Sequence, residues 1–433
     1  MNKHLLLDKM RASPLGHGIY RLKCLGRSLT APLQQLRDKR YIASLPHKVE
    51  ALSRKDTLRV LFFAQHPAYW RCDSLYRLML AHPRFEPIIV VCGEVQLGYE
   101  QMQRDATAME NYLHQKGYAY LNAYDSASDT WLDLRKEIDP DIIFYVKPYQ
   151  GVVPKRYYYD AFFDKLFIYL PYGMQTTNAP ELTNSRGCQL SWLQFYESPM
   201  VFEGSPVLKR NSRITGSPKA DLFREKSAGT DDPWKIADRQ VKRIIWAPHH
   251  SIGGGSLSYS NFLQLADGFL TLAEQNAQTM QFAFKPHPLL RSTLYNHPEW
   301  GRQRTDAYYQ RWDNLPNGMT ETGDYVDLFL TSDALIHDCG SFTVEYLLTG
   351  NPVMYLAKAH HDDTLNAFGK AAFDLHYQGS TMDDVTHFLH NVLIQGNDPL
   401  KEKRETFYLE QLLPPNGKTA AENMIDEILK FKV

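Results

Sequence analysis

Four histidine-bearing turns hold most of the residues in this chain whose types and spacing suit chemistry. "AQHPAYW" carries His66, "APHHS" carries His249 and His250, "KPHP" carries Lys285 and His287, and "HDCGS" runs from His337 to Ser341. Each follows a short apolar run, so each stands where a strand would deliver it. In "KPHP" a permanent cation and a titratable ring are held by two prolines, which fix the turn and reduce the entropy lost on binding. Such a pair suits a diphosphate, whose charge must be stabilised as a leaving group departs. In "HDCGS", Gly340 permits close approach of backbone to a ligand, and Ser341 either caps the following helix or hydrogen-bonds a phosphate oxygen. Asp338 belongs to the same turn, and Glu345, one helical turn on, is placed to reach a ribose diol. The plain alternative is an ordinary turn with a serine cap. His249 joins the donor-side set, although either it or His250 reads equally as a solvated ring.

Other patterns point away from common chemistries. "GGG" at 253–255 lacks the Lys-Ser/Thr ending of a P-loop, and reads as a flexible connection. "AHHDD", 359–363, resembles a metal cluster, but neighbouring residues diverge and no second ligand pair stands at i, i+4 spacing. The five cysteines are scattered without a C-x-x-C pair, so a reducing compartment and no zinc site are expected. We expect no metal and no cofactor. Neither a G-x-S-x-G elbow nor a G-x-G-x-x-G after the first apolar run occurs, which argues against a hydrolase of that type and against a dehydrogenase.

The elements that must position these turns are short apolar runs alternating with helix-like segments. "LRVLFFA", "PIIVVC", "DIIFYV" and "LFIYL" read as strands, and "SLYRLMLAH", "YEQMQRDATAMENYLHQKG" and "WLDLRKEI" as helices. The cycle restarts with "KRIIWAP", "QFAFKPHP", "ALIHD" and "PVMYL" as strands, around helices in "SNFLQLADGFLTLAEQ" and "TVEYLLT". Continuous apolar strands between helices mean parallel sheets covered on both faces. Two such series in 433 residues predict two doubly wound α/β domains, with ligands beyond the carboxyl ends of the strands. The Gly/Ser/Pro cluster from Asn211 to Phe223 marks the divide. The expected organisation is a basic helical arm over 1–55, a first domain over 56–212 and a second over 213–433, closed by an amphipathic helix.

Charge is uneven. Residues 1–55 hold twelve Lys/Arg against three Asp/Glu, net +9, in a chain whose total is −1. A basic arm mixed with Leu, Ile and Tyr suits an anionic membrane surface, or else a solvated face packed on the first domain. The acidic remainder offers no basic body to continue a nucleic-acid contact. No apolar run approaches a membrane span, and the leucines at 5–7 are cut off by Asp8 and Lys9. The expected location is cytoplasmic, peripheral at the inner face of the cell membrane.

Taken in order, "TGSPKADLF", "IIWAPHH", "KPHP", "SDALIHDCGSFTVEYLLTGNPVMYL" and "NGKTAAENMIDEI" resemble the motifs of the CDP-glycerol glycerophosphotransferase family, the teichoic-acid polymerase-like enzymes. The resemblance spans roughly residues 213–430 and implies a GT-B architecture, two Rossmann-like domains facing a central cleft. It implies a nucleotide-activated donor, CDP-linked, in the second domain, and a hydroxyl of a cell-surface glycan or lipid-linked acceptor in the first. It makes His287 a donor-phosphate or catalytic histidine, and Asp338, Gly340 and Ser341 the phosphate turn. It also associates the basic arm with membrane attachment. The sequence departs from the family at Gly340, which replaces a serine, and at "YGMQ", Tyr172 to Gln175, which stands where the family has His-Gly-Thr-Pro. Tyrosine is a poor base at neutral pH. Tyr172 and Gln175 then belong to the acceptor side, and His66 is the substitute base. Three rivals remain: a GT-B glycosyltransferase using another nucleotide sugar, a UDP-sugar 2-epimerase-like enzyme, and a non-catalytic scaffold that binds a nucleotide or glycan.

Overall fold

Alternating apolar runs and amphipathic segments fold into two parallel sheets, one after the other along the chain. The computed structural model describes residues 14–149, 151–177, 185–203, 210–252, 260–356 and 364–432, with side chains from residue 31 onward. The "GGG" and "AHHDD" motifs lie outside the described residues.

The first sheet is built from β1 (Leu58–Ala64), β2 (Phe85–Val91), β3 (Tyr120–Asn122), β6 (Ile142–Tyr145), β7 (Leu166–Tyr169), β8 (Leu193–Tyr196) and β9 (Ser212–Ile214). Its order is β3-β2-β1-β6-β7-β8-β9, parallel throughout. A two-stranded hairpin, β4 (Tyr124–Asp125) and β5 (Thr130–Trp131), interrupts the series. The second sheet comprises β10 (Lys242–Ala247), β11 (Met280–Phe284), β12 (Gly318–Thr320), β13 (Ala334–His337), β14 (Val353–Leu356) and β15 (Tyr377–Gly379), in the order β12-β11-β10-β13-β14-β15. β6, β7, β13 and β14 are buried along their whole length, because helices cover both faces of each sheet. In both sheets the order reverses beside the first strand, between β1 and β6 and between β10 and β13. Chain leaving these strands diverges there and opens a crevice.

Three segments differ from expectation. "WLDLRKEI" is helical only over Leu134–Glu137. Trp131 is drawn into the hairpin by Tyr124, with ring centroids 4.9 Å apart, and Asp133 starts the short helix by accepting from the amides of Arg135 and Lys136. The expected boundary at 212/213 falls inside β9, whose Ser212, Arg213 and Ile214 pair with β8. The closing helix, Ala420–Leu429, expected in the second domain, returns to the first. Its Ala420, Ala421, Met424, Ile425 and Ile428 join the core formed around β1 and β6. Asp221 of the "SPKADLF" motif secures that return, its carboxylate accepting from the amides of Ala420 (2.8 Å) and Ala421 (3.0 Å).

The basic arm is a single helix, Pro14–Ser53. Its second half is structural: Tyr41, Leu45, Val49 and Leu52 are buried in the first domain's core. Tyr41 stacks on Phe163, and Arg186 binds both Asp38 and Asp160. An arm ending at residue 55 therefore takes in part of the domain. No described helix is long and apolar enough to cross a membrane.

Candidate functional site

The strand exits of the two domains meet through Arg71, which donates to the carbonyl of Tyr172 and lies 3.4 Å from Glu345. On the first-domain side, β1 delivers His66, whose extended backbone starts a short 3-10 turn, Pro67–Tyr69. Nδ1 of His66 accepts from the amide of Ala68 at 3.1 Å. In the neutral ring the proton then sits on Nε2, which makes His66 a donor toward the cleft. Serving as a base requires the ring to release Ala68. Burial pushes its pKa below the ordinary histidine value, and the charge of nearby Lys147 adds to this against the opposing carboxylates of Asp105 and Glu94.

Lys147, at the exit of β6, was not anticipated. Its ammonium pairs with buried Glu94 and lies 3.3 Å from the ring centroid of Tyr69 and 5.0 Å from that of Tyr172. The two tyrosines meet edge to face at 5.3 Å. Burial, followed by the charge of Glu94, raises the pKa of Tyr172, so its phenol stays protonated. Gln175 is buried; its backbone amide donates to Glu197 (2.7 Å) and its side-chain amide to the carbonyl of Gly173 (3.2 Å). From the second domain, Asn366 donates to the carbonyl of Gln175 (2.7 Å). Gln175 thus ties the domains together, while Tyr172 lines the cleft.

On the second-domain side, Asp338 is almost fully buried. Its carboxylate accepts from the amides of His249 (2.5 Å) and Asn261 (2.9 Å). It braces the β10 exit from beneath, while Gly340 and Ser341 stand exposed above it. Ser341 makes no side-chain cap, which removes the capping role from its two expected ones. The following α-helix is a single turn, Phe342–Glu345, continued by a 3-10 turn. An anion at this turn would depend on local N–H groups and neighbouring cations more than on a helix dipole.

Lys285 donates to the carbonyl of Gly323 at 2.8 Å, and burial lowers its pKa. The rings of His249, His250 and His287 cluster with centroids 4.2 to 4.8 Å apart. Burial, then the neighbouring imidazoles, pushes His249 down to about 3. The same causes bring His287 down to about 4. Both are neutral near pH 7. Nδ1 of His287 accepts from the amide of Leu289, which leaves Nε2–H as a donor.

Glu345 is buried, and its carboxylate is already engaged. Arg71, arriving from the β1 exit, lies 3.4 Å from it, Lys219 lies 3.7 Å away, and the hydroxyl of Tyr325 donates to it. Reaching a ribose diol therefore requires this network to loosen. Lys219 stands inside the quoted "SPKADLF" motif, and Arg71 five residues after His66. Spacing alone gave neither a partner, because Glu345 lies on a distant segment of the chain.

No protein-family model and no curated protein sequence matches the chain. Solved structures do. S. aureus MnaA in complex with UDP aligns over 87% of this chain and 97% of its own, at 13% identity and a TM-score of 0.56. UDP-GlcNAc 2-epimerase from Neisseria meningitidis bound to UDP-GlcNAc aligns over 86% and 100%, at 14% identity and a TM-score of 0.57. A variant of the wall teichoic acid polymerase TagF aligns over 92% and 97%, at 14% identity and a TM-score of 0.54. At these identities the likeness is one of fold, and with two parallel sheets of seven and six strands the chain has a GT-B-like architecture.

Proposed function

We propose that this chain is a transferase that moves a polyol phosphate or sugar from a nucleotide-activated donor to a hydroxyl of a cell-surface glycan or lipid-linked acceptor. A CDP-linked donor such as CDP-glycerol fits the motif resemblance best. The observation that carries the reading is the exposed Gly340–Ser341 turn, tied to the β10 exit through Asp338 and the amide of His249, with Arg71 linking Glu345 to the carbonyl of Tyr172 on the first domain. Donor phosphates would take hydrogen bonds from the turn and from Nε2–H of His287. Lys285 would offset the charge that develops on the departing nucleotide. The aromatic wall would hold the acceptor for in-line attack, with positioning supplying much of the rate. His66 would orient the acceptor hydroxyl through Nε2–H, and would accept its proton once freed from Ala68.

A UDP-sugar 2-epimerase-like reaction is the second reading, favoured by the similarity to MnaA and the Neisseria epimerase. Thermal shift with CDP-, UDP-, GDP- and CMP-activated donors selects the nucleotide, because a ligand specific for the native state raises the melting temperature. Product analysis with the selected donor then decides. Nucleotide release that depends on acceptor supports transfer, and epimerised donor formed without acceptor rejects it.

The location proposed is cytoplasmic, peripheral at the inner face of the membrane, through the first part of the basic helix. Removing residues 1–30 spares the buried face at Tyr41–Leu52. This truncation should release the protein from anionic vesicles, with each Lys/Arg near the surface contributing about 1 kcal/mol. Equal co-sedimentation of truncated and full-length protein, or binding indifferent to salt, would leave the helix a structural element only.

A further inference from the structure

The imidazole cluster at the exits of β10 and β11 contains more than the donor reading uses. One ligand nitrogen from each of His249, His250 and His287 lies within 4.8 Å of the others, and among the described residues no other group of three His, Cys, Asp or Glu is so spaced. Nδ1 of His250 is buried and has no hydrogen-bond partner, an unusual state for a polar atom at a half-buried site. No carboxylate belongs to the group, and Asp338 beside it spends both oxygens on backbone amides. A set of three nitrogens without oxygen ligands selects borderline ions such as Zn²⁺, Co²⁺ or Ni²⁺ over Mg²⁺ and Ca²⁺, which require oxygen.

We propose that His249, His250 and His287 form a three-nitrogen site for a divalent transition-metal ion of the zinc class, with the remaining coordination position open to the cleft. Tetrahedral ligation brings nitrogens to about 3.3 Å from one another, given metal–nitrogen bonds near 2.0–2.1 Å, so the rings close inward on binding. Proton placement permits this. His249, bound through Nε2, can donate Nδ1–H to Ser251 Oγ at 2.8 Å once it gives up the Ser251 amide that Nδ1 accepts at 3.3 Å, and this is the outer hydrogen bond that ligating histidines usually make. His287 must give up the amide of Leu289, an exposed residue whose N–H water can satisfy. His250 gains a partner for its buried nitrogen. The proposal departs from the expectation of no metal, and it stands independently of the transferase reading.

The test uses tag-free full-length protein, stripped with chelator, dialysed, and kept without nucleotide. Zn²⁺ and Mg²⁺ are titrated by calorimetry and Co²⁺ by visible absorption. The expected result is one Zn²⁺ per chain, no heat with Mg²⁺, and intense tetrahedral Co²⁺ bands that Zn²⁺ displaces. His250→Ala should weaken Zn²⁺ binding by at least about tenfold, with the metal-free melting temperature unchanged. If that variant melts early, His250→Gln is read in the same way. Absence of stoichiometric Zn²⁺, equal binding of Mg²⁺, weak octahedral Co²⁺ bands, or unchanged affinity in a folded His250 variant would each overturn the site. Because no nucleotide takes part, failure of the transferase reading leaves this outcome unaffected.

Discussion

The two walls of the cleft treat charge in opposite ways. On the first-domain wall the cations are neutralised: Lys147 pairs with Glu94, and Arg71 reaches across to Glu345. Two tyrosine rings cover what is left. On the second-domain wall Lys285 spends its ammonium on a carbonyl and forms no ion pair among the described residues. Three neutral imidazoles crowd beside it without a carboxylate. A paired, aromatic wall suits a neutral polyhydroxyl group, and a wall whose lysine stands outside any ion pair among the described residues suits an anion. The difference supports, on electrostatic grounds, the proposed placement of acceptor and donor on opposite domains.

The largest effect expected from breaking this contrast is at His287. His287→Ala should lower turnover at least about a hundredfold, the scale at which an electrostatic stabiliser is lost, with the melting temperature retained. Near-normal turnover in a folded variant would take His287 out of the chemistry. Next come two residues of one turn with different jobs. Ser341 is exposed, so Ser341→Ala should weaken donor binding by about 1 kcal/mol and leave stability alone. Asp338 is buried under two amides, so Asp338→Ala should weaken donor binding and also cost about 3 kcal/mol of stability. Calorimetry and thermal melts read both, and parental donor affinity in both variants would end the phosphate-turn assignment.

A smaller effect belongs to the opposite wall. Tyr69→Leu removes the ring under Lys147, worth about 1 kcal/mol. It should raise the KM for acceptor several-fold without changing donor affinity. A change in donor affinity instead would undo the division between the walls.

A further effect is in pH. His249 and His287 are neutral in the folded protein down to about 3 and about 4, whereas unfolded histidine takes a proton near 6.5. The unfolded chain therefore binds more protons as pH falls below about 6.5, and stability declines with acidification. Buried His337 and His376 act in the same direction. Melts between pH 7 and 5 should fall, and the fall should be shallower in His287→Asn. An equal slope in parent and variant would mean that the ring is solvated.

Much of the architecture was legible because the long strands carry uninterrupted apolar runs: "LRVLFFA" is β1 residue for residue, and "KRIIWAP" is β10 with its proline left outside. The strands β3, β9, β12 and β15 have three residues each, too few to show a period. The turns that gather at the site were legible as strand exits, since parallel topology places every such exit on one edge. Asp338 was found for an incomplete reason. Its pattern says polar turn, and only burial shows that the carboxylate supports the turn from below. His250 was passed over because its ring read equally as solvated, yet the β10 exit leaves the rings of His249 and His250 4.2 Å apart. Arg71, Lys219 and Lys147 gain their meaning from partners on other elements, and spacing along one segment holds no record of that.

The return of the closing helix has a mechanical consequence. The chain passes between the domains twice, outward after β9 and back before Ala420, and the two crossings touch. Gly216 has a left-handed backbone, φ +84°, and a Cβ placed there would stand 2.7 Å from Pro414. A single tether would let one domain swivel in any direction, whereas two tethers pressed together act as the pin of a door. Two adjoining tethers restrict how the domains can turn relative to one another more than one tether would.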